Sequence, residues 1–283
     1  MASLLPSKSC YNRPVLKYRV ITAAVGLPII VLAVWFGDPW PWFTLLITAA
    51  ALAGAYEFYR IANFDRGEPL LYLGLLWTVA LVLSPHHTNP DLLPGVMTAT
   101  MLVSLICLLL RRSKEKAFHD WAWTIVGALY VGWMLSYWLN LRGLEDGRNW
   151  VYLAMLSTFA NDTSAYFIGR AIGKHKLAPA ISPAKTWEGA IGGLAGAILA
   201  AIVVAAILGL ISPFTLEYWQ IILLGFLVSL FAQLGDLVES LLKRNMGVKE
   251  SGDLLPGHGG ILNRFDSLIF VGAVIYYYAV WVL

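Results

Sequence analysis

The sequence predicts an all-α polytopic integral membrane protein of about nine transmembrane helices, N-terminus cytoplasmic and C-terminus outside. Three observations predict it. Of the 283 residues, 59% are hydrophobic and only 13% are charged, against about 25% charged in a soluble domain. Apolar runs of about 20 residues recur along the chain, and that length crosses a bilayer as a helix. With the N-terminus inside, every Lys and Arg except Arg142 and Arg148 falls on the cytoplasmic side, as the positive-inside rule requires.

Composition also excludes several classes. A net charge of +3 is too small to suggest nucleic-acid binding. Cys10 lies in a polar segment and Cys107 in an apolar run, so no disulfide framework is expected. No Cys/His cluster has zinc spacing. A metal site would therefore be built from oxygen ligands, which suits magnesium.

The expected spans are 16–36, 40–60, 69–84, 91–110, 121–141, 150–170, 187–211, 217–242 and 261–283. The first follows a basic lead (Lys8, Arg13, Lys17, Arg19) and runs into Gly37-Asp38-Pro39-Trp40 without a small-residue cleavage site, so it reads as a retained span. In the second, Glu57 and Arg60 are spaced to pair on one helix face, a structural or interfacial role. The third is short, and Pro85, Pro90 and Pro94 crowd the turn after it. His86 and His87 fall in a short outer loop, where solvation is a better reading than a metal. Trp35, Trp40, Trp42, Trp121 and Trp123 sit near span ends, as interfacial aromatics do. Arg111 to Lys116 reads as a basic loop against anionic headgroups.

Residues 1–148 thus form an N-terminal scaffold of about five helices with little visible chemistry. Residues 149–283 form a C-terminal catalytic region of about four helices, with cytoplasm-facing polar loops at 170–188 and 243–260. Asp162 lies well inside the sixth span, where a carboxylate is costly and calls for a partner, a wet cavity or a function. The loop after it carries Gly169-Arg170, Gly173-Lys174-His175-Lys176 and Ser182-Pro183-Ala184-Lys185-Thr186-Trp187-Glu188-Gly189. Glycines, hydroxyls and lysines before a helix suit phosphate binding. Spacing alone leaves an ordinary positive inner loop as an equal reading, and no P-loop is present. Gly189, Gly192, Gly193 and Gly196 in the seventh span allow close helix contact, within the chain or in a homodimer.

The largest polar island runs from Gly235 to Ser267. On one helix, Asp236, Glu239, Ser240 and Lys243 share a face. A salt-bridged helix end explains Glu239 and Lys243; Asp236 lies deeper. Pro256-Gly257-His258-Gly259-Gly260 then precedes a helix, whose first turns hold Asn263, Arg264 and Asp266. The backbone there can form an anion-binding nest. Carboxylates from two helices with cations around them make a magnesium and polyphosphate site.

Three blocks in order, Asn161-Asp162 to Tyr166, Gly173 to Gly189, and Ser240 to Asp266 with PGHGG inside it, resemble the phosphatidate cytidylyltransferases (CDP-diacylglycerol synthases). The similarity covers at least 150–283. It implies a multi-pass enzyme of the cell's inner (plasma) membrane, with its site facing the cytoplasm. Such an enzyme condenses CTP with phosphatidate in the bilayer to give CDP-diacylglycerol and pyrophosphate. By resemblance, Asp236, Asp266, Lys243 and Arg264 are catalytic. Asp236, Asn263, Asp162 and Glu239 hold magnesium, with room for a second cation whose identity the sequence does not give. Lys176, Ser182, Lys185, Arg244, Lys249, Gly257, His258, Gly259 and Gly260 bind substrate. Two positions depart from the pattern. Glu250 and Asn263 each stand where the signature has Asp. An amide oxygen still coordinates magnesium, but losing the charge weakens the attraction, by several kcal/mol on a rough Coulomb scale. A weakened or inactive relative that binds without turnover is therefore one alternative. A cytidylyltransferase for another phosphorylated lipid is a second. A lipid transporter is a third, though it would carry charges along a path through the bilayer.

Overall fold

The computed structural model describes residues 26, 28–36, 40–62, 69–89, 91–110, 115, 117–252 and 259–282. After a helical stretch over 28–35 come α1 (Trp42–Ile61), α2 (Pro69–Leu83), α3 (Leu92–Leu110), α4 (Ala117–Arg142) and α5 (Gly147–Ile172). Strands β1 (Lys176–Ala178) and β2 (Ser182–Thr186) follow, then α6 (Trp187–Ile211), α7 (Tyr218–Asn245) and α8 (Leu262–Val282). Among the described residues, six helices (α1, α3, α4, α6, α7 and α8) are long and apolar enough to cross a membrane. α5 has 26 residues, about 39 Å at the helical rise, but is more polar. α2 is shorter, at 15 residues. The expected first span is described only over its last part.

One correction concerns class. The expected polar loop 170–188 contains an antiparallel hairpin, with Lys176 opposite Thr186 and Ala178 opposite Ser182. The strands have three and five residues, too short to show the alternation that marks a strand in sequence. Thr186 ends the hairpin and caps α6, its hydroxyl accepting the Gly189 N–H at 3.2 Å. A capping box at Glu217 and Gln220 starts α7.

Helices α1 to α4 pack around large rings. Phe43, Phe58, Tyr59 and Trp138 are fully buried. The Tyr59 hydroxyl donates to the Thr124 carbonyl at 2.9 Å, and the Trp138 indole donates to the Leu268 carbonyl at 3.0 Å, joining α4 to α8. Within α4, residues Ala128–Trp133 form a π-helical stretch. The two cations expected outside are both held. Arg142 is buried and donates to the Val34 carbonyl at 3.2 Å, while the Arg148 guanidinium lies 4.8 Å from the Trp35 ring centre.

α6 instead meets α5 almost backbone to backbone. A Cβ at Gly193 would lie 2.7 Å from Asn161 Oδ1, and one at Gly189 would lie 2.9 Å from the Ala165 carbonyl. Gly192 abuts Ile168 and Gly196 abuts Ser164. Much of the small-residue face is thus packed against α5 inside the chain.

Candidate active site

A cavity of about 540 Å³ opens among α5, the hairpin, α6, α7 and α8. Asp162, Asp236 and Asp266 line it from three different helices, Arg170, Lys185 and Arg264 supply the cations, and Asn263 adds a neutral amide. The close α5–α6 approach lets side chains on α5 and α7 reach one another. Asn161, 1% exposed, accepts from the Ser229 hydroxyl at 2.7 Å and from Gln233 at 3.3 Å. Gln233 also donates to the Ala190 carbonyl at 3.1 Å. The Asn161 amide then donates to Asp162 at 2.9 Å. A buried polar network with every member partnered is rigid, and this one fixes Asp162 at the cavity wall.

Asp236 is held from above. Lys185 on β2 places Nζ 2.7 Å from Asp236 Oδ2, with the Asp236 side chain 37% exposed. The hairpin is fastened at two more points. Arg244 donates to the Ile181 carbonyl at 3.3 Å. Glu188 meets His175 Nδ1 at 2.6 Å and accepts its backbone N–H at 3.2 Å.

At the far wall, Lys243 donates to Asn263 Oδ1 at 2.7 Å and pairs with the fully buried Glu239. The Asn263 amide in turn donates to Glu250 Oε2 at 2.9 Å. The two residues that depart from the expected signature therefore touch each other.

Of the residues singled out in sequence, Asp162, Lys185, Asp236, Asn263, Arg264 and Asp266 meet at the cavity. Glu239 and Lys243 stand behind it as a pair. Lys176, Ser182, Arg244, Lys249, Gly259 and Gly260 do not line it. Gly257 and His258 lie outside the described residues. Arg170 and Gln233 line the cavity too. Arg170 passed for one more cation of a basic loop, and a glutamine in an apolar run carries no charge to notice.

Glu57 also departs from expectation. Its carboxylate turns inward from α1 and accepts from Ser251 Oγ, Ile261 N and Leu262 N, each at 2.9 Å. Two N–H groups at the start of α8, expected to face a phosphate, are already bonded to it.

Comparison with known proteins places the chain in a family. Residues 17–282 match the model of the cytidylyltransferase family. The chain belongs to the cytidylyltransferase family. The phosphatidate cytidylyltransferase of Bacillus subtilis (strain 168) is 35% identical over 267 residues, 93% of this chain and 97% of the relative. That of Staphylococcus saprophyticus is 43% identical over 261 residues, 90% and 96% of the two chains. That of Staphylococcus haemolyticus is 35% identical over 261 residues, again 90% and 96%.

A cytidylyltransferase is a nucleotidyltransferase, and the donor set bears on its metal. Three carboxylates and the Asn263 amide line the cavity, all hard oxygen donors that suit magnesium better than zinc. Among the described residues, no three His, Cys, Asp or Glu side chains gather closely enough to cage an ion. Magnesium usually keeps several waters and takes one or two carboxylates plus substrate phosphates. The residues fit that mode and not an all-protein cage.

Proposed function

We propose that the chain transfers the cytidylyl group of CTP to phosphatidate, giving CDP-diacylglycerol and pyrophosphate. The observation that carries this reading is the cavity where Asp162, Asp236 and Asp266 face Lys185 and Arg264, in a chain whose relatives are named phosphatidate cytidylyltransferases. A phosphate oxygen of the lipid attacks the α-phosphorus of CTP. The new P–O bond forms as the bond to the bridging oxygen of the β-phosphate breaks, and its electron pair leaves with pyrophosphate. Catalysis of such a transfer is mostly positioning and charge neutralisation.

Lys185 and Arg264 supply positive charge where the triphosphate and lipid phosphate meet. Asp236 and Asp162 would hold magnesium, with Asp266 and the Asn263 amide on the opposite wall. Magnesium held there, with a second cation, would supply positive charge to neutralise the phosphate oxygens. Lys176, Ser182, Arg244 and Lys249, which do not line the cavity, would reach a phosphate only if their side chains turned toward it.

In this reading residues 149–283 carry the chemistry and 1–148 the scaffold. Nine spans put the N-terminus and the cavity on the cytoplasmic side of the cell's inner membrane and the C-terminus outside. The Lys and Arg distribution supports that orientation.

The test is a CTP plus phosphatidate assay on the purified protein in detergent with magnesium. The chain makes CDP-diacylglycerol, and Asp236→Ala lowers kcat/KM by about 10³-fold or more, the scale of losing a main electrostatic group. Asn263→Asp keeps the Lys243 contact and stays within about tenfold of the parent, with a lower magnesium requirement. If only Asn263→Asp turns over, the second reading, a disabled relative, holds; Asn263 is the observation that motivates it. If neither turns over nor binds CTP, the cytidylyltransferase reaction is refuted for this chain.

A further inference from the structure

Among the described residues, 1–148 contribute no side chain to the cavity lining, yet one carboxylate from α1 reaches into the 149–283 region. Glu57 on α1 is 2% exposed. A carboxylate so far from water is costly unless its charge is met by donors. Here three donors converge on it. Ser251 Oγ, 194 residues away in sequence, donates to Oε2 at 2.9 Å. Ile261 N donates to Oε1 and Leu262 N to Oε2, both at 2.9 Å. The backbone donors belong to the start of α8, where the helix dipole also favours an anion.

The spacing around the carboxylate is tight. A Cβ at Gly252 would lie 2.8 Å from Glu57 Oε1, and one at Gly260 would run into both Ser251 and Glu57. One side chain therefore clamps both ends of the segment between Gly252 and Gly260. Immediately after the clamp come Asn263, Arg264 and Asp266, all on the cavity wall. Asp236 and Lys185 stand on other elements. The distance between those two sets depends on where the first turn of α8 begins.

We infer that Glu57 is a positioning residue for the transfer reaction: from outside the catalytic half, its carboxylate sets the seat of the α8 first turn and so the placement of Asn263, Arg264 and Asp266 against Asp236. This rests on the cytidylyltransferase reading of the cavity. Glu57 touches no substrate in it. Its contribution is to hold the far wall within the tolerance that in-line transfer needs.

The test compares Glu57→Gln, Glu57→Asp and Ser251→Ala with the parent protein, all in the same detergent. Glutamine keeps the shape but turns an NH2 toward a backbone N–H, replacing one hydrogen bond by a clash of donors. The expected result is a folded Glu57→Gln protein with the parent's elution profile and a kcat lowered about 10²-fold, the scale of a 1 Å misplacement. Its KM for CTP changes little. Ser251→Ala, which loses one bond of the three, falls about 3- to 10-fold. Glu57→Asp keeps the charge and recovers part of the loss. Amide hydrogen exchange gives a readout independent of turnover. Residues 261–266 exchange at least about tenfold faster in Glu57→Gln, while the α5–α6 contact exchanges as in the parent. An activity loss that only follows the folded fraction, or exchange at 261–266 equal to the parent's, overturns the inference. A parent chain without turnover refutes the assigned reaction instead, and the exchange comparison still decides whether Glu57 seats α8.

Discussion

The two halves of the chain are held together with different emphasis. In α1 to α4 rings carry many of the contacts between helices: Phe58 lies against Trp123 at 5.5 Å between centroids and against Tyr130 at 6.0 Å. In α5 to α8 they are made by missing side chains, with Gly189, Gly193 and Gly225 each too close to a neighbouring backbone or amide to bear a Cβ easily. Lipid tails are as apolar as leucine, so hydrophobicity does little to bring helices together within a bilayer. In α1 to α4 the glycines meet rings as well as backbone, Gly74 and Gly127 against Tyr59 and Gly132 against the Thr78 backbone. Small residues bring backbones together, and only then do Asn161, Ser229 and Gln233 reach one another and place Asp162 at the cavity wall. The close packing of α5 with α6 is what lets these polar groups meet.

That contrast can be broken at graded cost. Lys185→Met removes the cation facing Asp236 and should lower kcat/KM by about 10²-fold, within the usual range for one electrostatic contact. A loss in activity with an unchanged thermal midpoint would confirm that the hairpin serves the site and not the fold. A smaller but global effect is expected from Gly225→Val. Its Cβ would lie 2.7 Å from the Ile198 Cα, so backbone must move. Overpacking of that kind costs about 1–3 kcal/mol and should appear as a lower midpoint in detergent. The gentlest change is Trp138→Phe in the ring-packed half. It gives up the hydrogen bond to the Leu268 carbonyl, worth about 1 kcal/mol, and should leave kcat per folded molecule unchanged. If Trp138→Phe cut turnover as deeply as Lys185→Met, the division into scaffold and catalytic halves would be wrong.

Much of the fold was legible in sequence. Hydropathy placed the seventh span at 187–211, and α6 runs Trp187–Ile211; the fifth, expected at 121–141, extends over Ala117–Arg142. Apolar length and punctuation are local signals, so they survive reading one residue at a time. The hairpin was not legible, because a Gly-rich basic loop with strands of three and five residues carries no period. The acidic walls could be suspected from charges inside apolar runs. That Asp162, Asp236 and Asp266 share one cavity depends on three helices crossing, which spacing does not encode. Glu57 shows the same limit in reverse. Its nearest cation in sequence is Arg60, three residues on, yet its partners lie 194 to 205 residues away. The rule for neighbouring residues on a helix therefore gave the wrong direction.

The π-helical stretch Ala128–Trp133 in α4 sets the angular phase of everything after it. A regular helix turns about 100° per residue, and a π-bulge inserts one residue's worth of rotation without ending the helix. The residues before it, such as Thr124, meet Tyr59 on α1; those after it, such as Trp138, meet α8. Winding Ala128 to Trp133 as an ordinary helix with every residue kept would swing Trp138 about a quarter-turn away from the Leu268 carbonyl, whereas deleting one residue there would leave Trp138 in place. One extra residue thus lets a single helix present different faces to α1 and to α8.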